Sequence, residues 1–263
     1  MVQEKNGRQM NDSFTDQVKQ IEDLSLNAWP SHKMELYDGW ILRFSYFYTH
    51  RTNSVEQFGP ETLPWSVKIP FCESEYARLG SPAVFKISPL ISPNFDFLLE
   101  NRGYQIQHGT RVMTMSLAGW TDPGIPAPDV TFMEGIPEQW IHGLFDLKGM
   151  GNGIHRRIVP SMYRAIPKET VCACVLQDGR VAATGLGILD RNYIGIYAVH
   201  VAPELRRRGI ARQLCLSLLR EGIKKGADTA YLQVVEGNDP AGKLYETLGF
   251  SHLYSYWFRV QPY

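Results

Sequence analysis

A chain of 263 residues, 44% of them apolar, is long enough to bury one large core or two smaller ones. Its 27 basic and 27 acidic residues cancel, so no bulk field draws it to nucleic acid or to an anionic membrane. No apolar run reaches bilayer-spanning length, and the polar stretch from Met1 to Asp16 lacks the apolar heart of a secretory leader, so a cytoplasmic protein is expected. Residues 1–12 read as a flexible start. Asp12 or Ser13 then caps a helix reaching about Asn27, with Phe14, Val18, Ile21 and Leu24 at helical spacing. Two apolar runs around Asp38-Gly39, Met34 to Tyr37 and Trp40 to Phe44, predict a hairpin. The first half continues with a strand near Thr52 to Phe58 and a helix carrying Phe71, Tyr76 and Leu79 that ends at Gly80. A strand over Val84 to Ile87, a helix over Asn94 to Asn101 and a strand over Arg111 to Leu117 complete it.

Gly119 to Asp129, with three prolines and two glycines, reads as the linker between a first domain, 13–118, and a second, 130–263. The second domain opens with a helix over Glu138 to Lys148. Gly149 to Gly153 follows as a mobile loop rather than a phosphate cradle, because no strand precedes it. A hairpin pairs Val171 to Leu176 with Val181 to Leu189 around Asp178-Gly179. Tyr193 to Val201 reads as a core strand, and Ala211 to Lys225 as a helix with Leu214, Leu218, Leu219 and Ile223 on one face. Tyr231 to Val235 is a further strand. A short helix then carries Leu244 and Tyr245, and a last strand spans Tyr254 to Val260. Cys72, Cys172, Cys174 and Cys215 lack zinc-ligand spacing; they read as small buried hydrophobes, and no metal is expected.

The informative stretch joins the core strand to its helix: Arg206, Arg207, Arg208, Gly209, Ile210, Ala211 and Arg212. A strand that turns through a glycine into a helix leaves the first helical N–H groups free, and with the helix dipole these form an anion site. Cations are disfavoured at a helix N-terminus, so three arginines placed there are an anomaly that a bound anion resolves. Downstream stand Asn238, Ala241, Leu244-Tyr245 and Gly249-Phe250. With these in order, the chain from about Val130 onward resembles the GNAT (GCN5-related) acyltransferases. Their phosphate loop is Gln or Arg, two residues, Gly, one residue, then Gly or Ala, and Arg206 to Ala211 matches it.

Three features of the first half recur in the second at one offset of 146 residues: Gly80 with Gly226, Gly103-Tyr104 with Gly249-Phe250, and Asn53-Ser54-Val55 with Val199-His200-Val201. The pattern fails at the loop, where Pro60 to Trp65 answers to Arg206 to Ala211. Two prolines there remove N–H donors, and Leu99 stands where Tyr245 has a hydroxyl. The fold class expected is therefore α+β: two GNAT-like domains, each a mixed, mostly antiparallel sheet flanked by helices, the first degenerate.

The resemblance implies an acetyl-CoA-dependent N-acetyltransferase. It would acylate a primary amine, small or peptidic, by direct transfer in a ternary complex. The pantetheine arm would lie along the backbone of Val199, His200 and Val201, where an N–H also polarises the thioester carbonyl. The pyrophosphate would rest on N–H groups of Arg206 to Arg212. Asn238 would bond the pantetheine, and Tyr245 would protonate the leaving thiolate, since a phenol of pKa ~10 is protonated at neutral pH. His200 and Glu236 have the chemistry of a base, but neither is singled out. Trp40, Arg43, Arg51 and Asn53 read either as acceptor-facing groups or as ordinary strand residues. The competing readings are a non-catalytic acyl-CoA-binding module and an interaction scaffold.

Overall fold

The computed structural model describes residues 2–127, 129–150 and 153–262, with side chains from Asp12 onward. In chain order the first half holds α1 (Val2–Ala28), β1 (Lys33–Tyr37), β2 (Trp40–Phe44), β3 (Val55–Gln57), α2 (Trp65–Arg78), β4 (Val84–Ile87), α3 (Pro93–Asn101) and β5 (Gln105–Ser116). The second holds β6 (Val130–Met133), α4 (Glu138–Leu147), α5 (Ile154–Arg164), β7 (Glu169–Gln177), β8 (Arg180–Asp190), β9 (Tyr193–Val201), α6 (Ile210–Lys224), β10 (Thr229–Val235), α7 (Asp239–Leu248) and β11 (Ser251–Val260). This is the mixed α+β class expected. Among the described residues no helix is long and apolar enough to cross a membrane.

Two expectations are corrected at the N-terminus and the linker. The first helix starts at Val2 rather than at Asp12 or Ser13, so 1–12 is not a separate loose segment; no proline interrupts the preceding residues. Nor does the chain divide at the linker. One compact unit comprises residues 2–23, 29–111 and 254–262, and the other 24–28 and 112–253. The boundaries 13–118 and 130–263 therefore fail at their C-terminal strands, and the hydrogen bonds give the reason. β11 pairs antiparallel with β4, from Trp257↔Ile87 to Val260↔Val84. Beyond it, Gln261 N donates to Ala83 O at 2.9 Å, and Arg259 forks onto Asp96 at 2.7 and 3.0 Å. The later part of β5 instead buries Met113, Met115 and Leu117 in the second unit's core. Each half thus gives up part of its last strand.

The first unit orders its strands β1-β2-β3-β4-β11, with β3 and β4 parallel. Trp40, Leu42, Val55, Ile69, Tyr76, Phe85, Phe95 and Leu99 form its core. Of its four singled-out polar residues, Trp40 and Arg43 lie on β2, whereas Arg51 and Asn53 lie in and just after the turn of residues 50–52 rather than on a strand. Trp40 is buried and donates to Glu61, and Arg43 is buried and donates to the Arg51 carbonyl. Asn53 Oδ1 accepts from the N–H groups of Ser45 and Phe47, and Arg51 donates to the Tyr256 hydroxyl at 2.8 Å.

The second unit orders its strands β5-β10-β9-β8-β7-β6. Leu214, Leu218 and Leu219 of α6 are fully buried on this sheet, each worth about 1.5–3 kcal/mol. The helix rides close because glycines lie at the contact, Gly222 on the helix and Gly185 on β8. A Cβ on Gly222 would stand 2.8 Å from Ile194, and one on Gly185 would stand 3.2 Å from Leu218. β6 and α5 have no counterpart in the sequence reading. β6 is a four-residue edge strand, and α5 carries an internal proline, Pro160, that masks its helical pattern. Gly151 and Asn152 of the expected mobile loop lie outside the described residues. All four cysteines are buried and unpaired, as expected.

Candidate functional site

The site begins where β9 loses its partner. β9 and β10 pair in parallel from Tyr193↔Thr229 to Ile196↔Leu232, and the pairing stops there although both strands continue. At the parting, Tyr197 and Tyr231 hydroxyls meet at 2.7 Å. Gly195 makes room for that pair, since a Cβ there would lie 2.7 Å from the Tyr231 ring. On the other side β9 bulges. Leu186 faces Tyr197 and Thr184 faces His200, so Ala198 and Val199 together oppose Gly185. Ala198 takes the left-handed backbone, φ 51°, which costs an L-residue roughly 1–2 kcal/mol. Thr184 Oγ1 holds it by donating to the Ala198 carbonyl at 2.8 Å. Strain of this kind persists only where neighbours over-determine it, and it concentrates at functional sites. Ala198 and Thr184 were missed in the sequence. The legible signal was Gly185, a glycine inside a strand, which marks a bulge or a close approach.

Past the bulge, Val199, His200 and Val201 run half-buried to the loop. Leu205 is buried beneath that loop, while Arg206, Arg207, Arg208 and Gly209 are exposed. Arg207 (φ 64°) and Gly209 (φ 78°) both adopt the left-handed conformation, the kind of curled backbone from which anion-binding nests of N–H groups are made. The first intrahelical bond of α6 runs from Gln213 N to Gly209 O at 3.0 Å. The N–H groups of Ile210, Ala211 and Arg212 therefore have no intrahelical acceptor. Arg206 ties the loop to the strand, donating from Nε to the Val201 carbonyl at 3.2 Å.

α7 brings the second motif to the same core. Asn238 is its N-cap and accepts from Ala241 N at 3.4 Å. Gly249, at φ 101°, ends the helix in a left-handed turn, and Phe250 packs edge-on against Tyr245 with centroids 6.1 Å apart. Tyr245 is buried, and Val199, Val201, Ile210, Ala241 and Leu244 pack against the cluster it belongs to. Burial, then Cys215 beside it, pushes its phenol well above the ordinary range. Glu236 is exposed in the turn after β10 and is not drawn into this core.

His200 follows the bulge directly, opposite Thr184. Burial first, then Lys148 and Arg206, lowers its pKa from 6.5 to about 4. Its imidazole is therefore neutral at neutral pH. The unfolded chain takes up that proton near pH 6.5 and the native one only near 4, so stability falls as pH drops through this window. His200→Asn should flatten the loss, which thermal melts across the window will read.

In the first unit, the stretch that corresponds by the offset is engaged by a side chain of the unit's own. There the carboxylate of Asp38 accepts from Thr62 N at 3.0 Å, from Thr62 Oγ1 at 2.7 Å and from Leu63 N at 2.9 Å. By the 146-residue offset, Thr62 and Leu63 answer to Arg208 and Gly209. An internal anion thus fills the position. Those N–H bonds, then Lys68, hold the Asp38 carboxyl far below the usual carboxylate range. The hairpin of β1 and β2, five residues a side, is short enough to bring its turn there.

A model of the family described as "Probable histone acetyltransferase Rv0428c C-terminal" matches residues 15–258. The chain is similar to "Uncharacterized N-acetyltransferase YobR" of Bacillus subtilis (strain 168), 25% identical over 248 residues, which are 94% of this chain and 99% of that protein. Among solved structures it is similar to a GCN5-related N-acetyltransferase from Kribbella flavida, with TM-score 0.68 and 14% identity over 94% of this chain and 96% of that one. A tandem GNAT protein from the clavulanic acid biosynthesis pathway aligns with TM-score 0.57 and 13% identity, over 80% of this chain and 75% of that one. At such identities the structural likeness speaks to the fold.

Proposed function

Since the chain belongs to the GNAT N-acetyltransferases, within the family described as probable histone acetyltransferase Rv0428c C-terminal, we propose that it moves the acetyl group of acetyl-CoA directly onto a primary amine in a ternary complex. The observation that carries this reading is the strained bulge at Ala198, where β9 has parted from β10, with the curled loop and α6 beyond it. Three buried atoms on these elements have no hydrogen-bond partner among the described residues: His200 Nδ1, Arg212 Nε and Gln213 Oε1. Buried polar atoms are seldom left so, and a polar cosubstrate of this length fits the need.

In this reading the backbone of Val199 to Val201 carries the pantetheine amides. One N–H there accepts the charge that develops on the thioester oxygen. The N–H groups from Arg207 to Arg212, with the arginine side chains, hold the pyrophosphate. Asn238 spends its Oδ1 on the helix cap and keeps its Nδ2–H₂ for the arm. The amine nitrogen attacks the carbonyl carbon, the C–S bond breaks, and Tyr245 gives its proton to the departing thiolate. The amine's own proton leaves to water.

The test is thiol release from acetyl-CoA in the presence of a panel of amines, from small diamines to peptide N-termini, with the product weighed by mass spectrometry. Amine-dependent thiol release with a matching acetylated product supports the reading. Binding without transfer to any amine would instead favour an acyl-CoA-binding module.

A further inference from the structure

The two units repeat one strand order: β2, β3, β4 and β11 in the first answer to β8, β9, β10 and β5 in the second. β1 then answers to β7. The outer edge of β7 is covered by β6, which pairs with it antiparallel from Val130↔Val175 to Met133↔Cys172. β1 has no such cover. It stands at the end of the order and pairs with β2 alone among the described residues. The repeat therefore shows what this edge accepts, a short antiparallel strand.

The edge is built to receive one. Asp38 (φ 43°) and Gly39 (φ 77°) form a two-residue turn in which Tyr37 and Trp40 are partners. In such a hairpin the flanking pair is hydrogen-bonded, so Lys33, Glu35 and Tyr37 bond inward to β2. Met34 and Leu36 turn their N–H and C=O groups outward. Their side chains share one face and are 67% and 79% exposed. No proline or bulge interrupts this edge, and its charges are one of each sign, Lys33 and Glu35. Lys33 and Glu35 lie on the opposite face, two residues apart and of opposite sign.

We propose that β1 pairs antiparallel with β1 of a second copy of this chain about a two-fold axis, making a homodimer. With Met34 on the axis, Lys33 of each copy stands opposite Glu35 of the other. The next register would set the two Glu35 side chains against each other. Charge complementarity thus selects the first, and cross-strand pairs of opposite sign add stability where like pairs subtract it. This inference is independent of the catalytic reading and stands or falls by itself.

The test is sedimentation velocity on the full chain over a range of concentrations. The wild type should sediment at twice the 29.9 kDa of one chain. Lys33→Glu and Glu35→Lys should each shift it to the monomer, and the double exchange should restore the dimer, which separates loss of pairing from loss of folding. Met34→Cys, on the axis, should cross-link to its own copy under mild oxidation, since the four natural cysteines are buried. A wild type that stays monomeric overturns the proposal. So does a dimer that neither single exchange weakens.

Discussion

Arg208→Glu combined with Gly209→Asp should lower the affinity for acetyl-CoA at least ~100-fold in calorimetric titration, to the point where no heat is measured. Both residues are exposed, so the fold should persist. Three losses combine. A guanidinium leaves the pyrophosphate, and charge-assisted hydrogen bonds of that kind are worth about 1.5–3 kcal/mol each. Two carboxylates enter a loop whose N–H groups they can themselves occupy. Gly209 also sits at φ 78°, where an aspartate is strained by roughly 1–2 kcal/mol, so the curl of the loop that presents the N–H groups is itself disturbed. At about 1.4 kcal/mol per tenfold, a net loss of about 3 kcal/mol already gives the stated factor. The first unit shows the same principle in its own structure, because one carboxylate, that of Asp38, engages the N–H groups of Thr62 and Leu63. If the variant binds as the wild type does, the loop is not the cofactor site.

Tyr245→Phe should lower kcat by roughly 10²–10⁴, the usual contribution of a positioned general acid, while leaving acetyl-CoA affinity within a few-fold. The ring stays and its edge contact with Phe250 is kept, so no cavity opens and the melting temperature should hardly move. Burial raises the phenol's pKa above its ordinary value, so the group stays protonated around neutral pH. The pH profile of the wild type should accordingly show no limb from this group near neutrality. A variant with full kcat would remove Tyr245 from the mechanism.

What the sequence made legible was local. The Asp-Gly hairpins, the strand into Arg206 to Ala211, the α6 face of Leu214, Leu218 and Leu219 and the Leu-Tyr and Gly-Phe pairs all rest on neighbours within a turn or two. What it concealed depends on partners far along the chain. Nothing near Tyr254 says that its strand will pair with Val84 to Ile87 rather than with the elements before it. Nothing near Val112 sends that strand to the second core. The bulge at Ala198 exists because Thr184 and Gly185, on the neighbouring strand, hold and admit it. The failed loop of the first half was visible as prolines. Its replacement by the Asp38 carboxylate was not, since the reach of the hairpin depends on strand length.

In the proposed complex, backbone N–H groups at the bulge and loop of the second unit hold acetyl-CoA. Amide hydrogen exchange on the full chain, with and without acetyl-CoA, measures those groups directly. Exchange should slow at 198–201 and 207–212 and be unchanged at the corresponding loop, 60–65. Protection confined to 60–65, or no change at either loop with the ligand in excess, would contradict that complex.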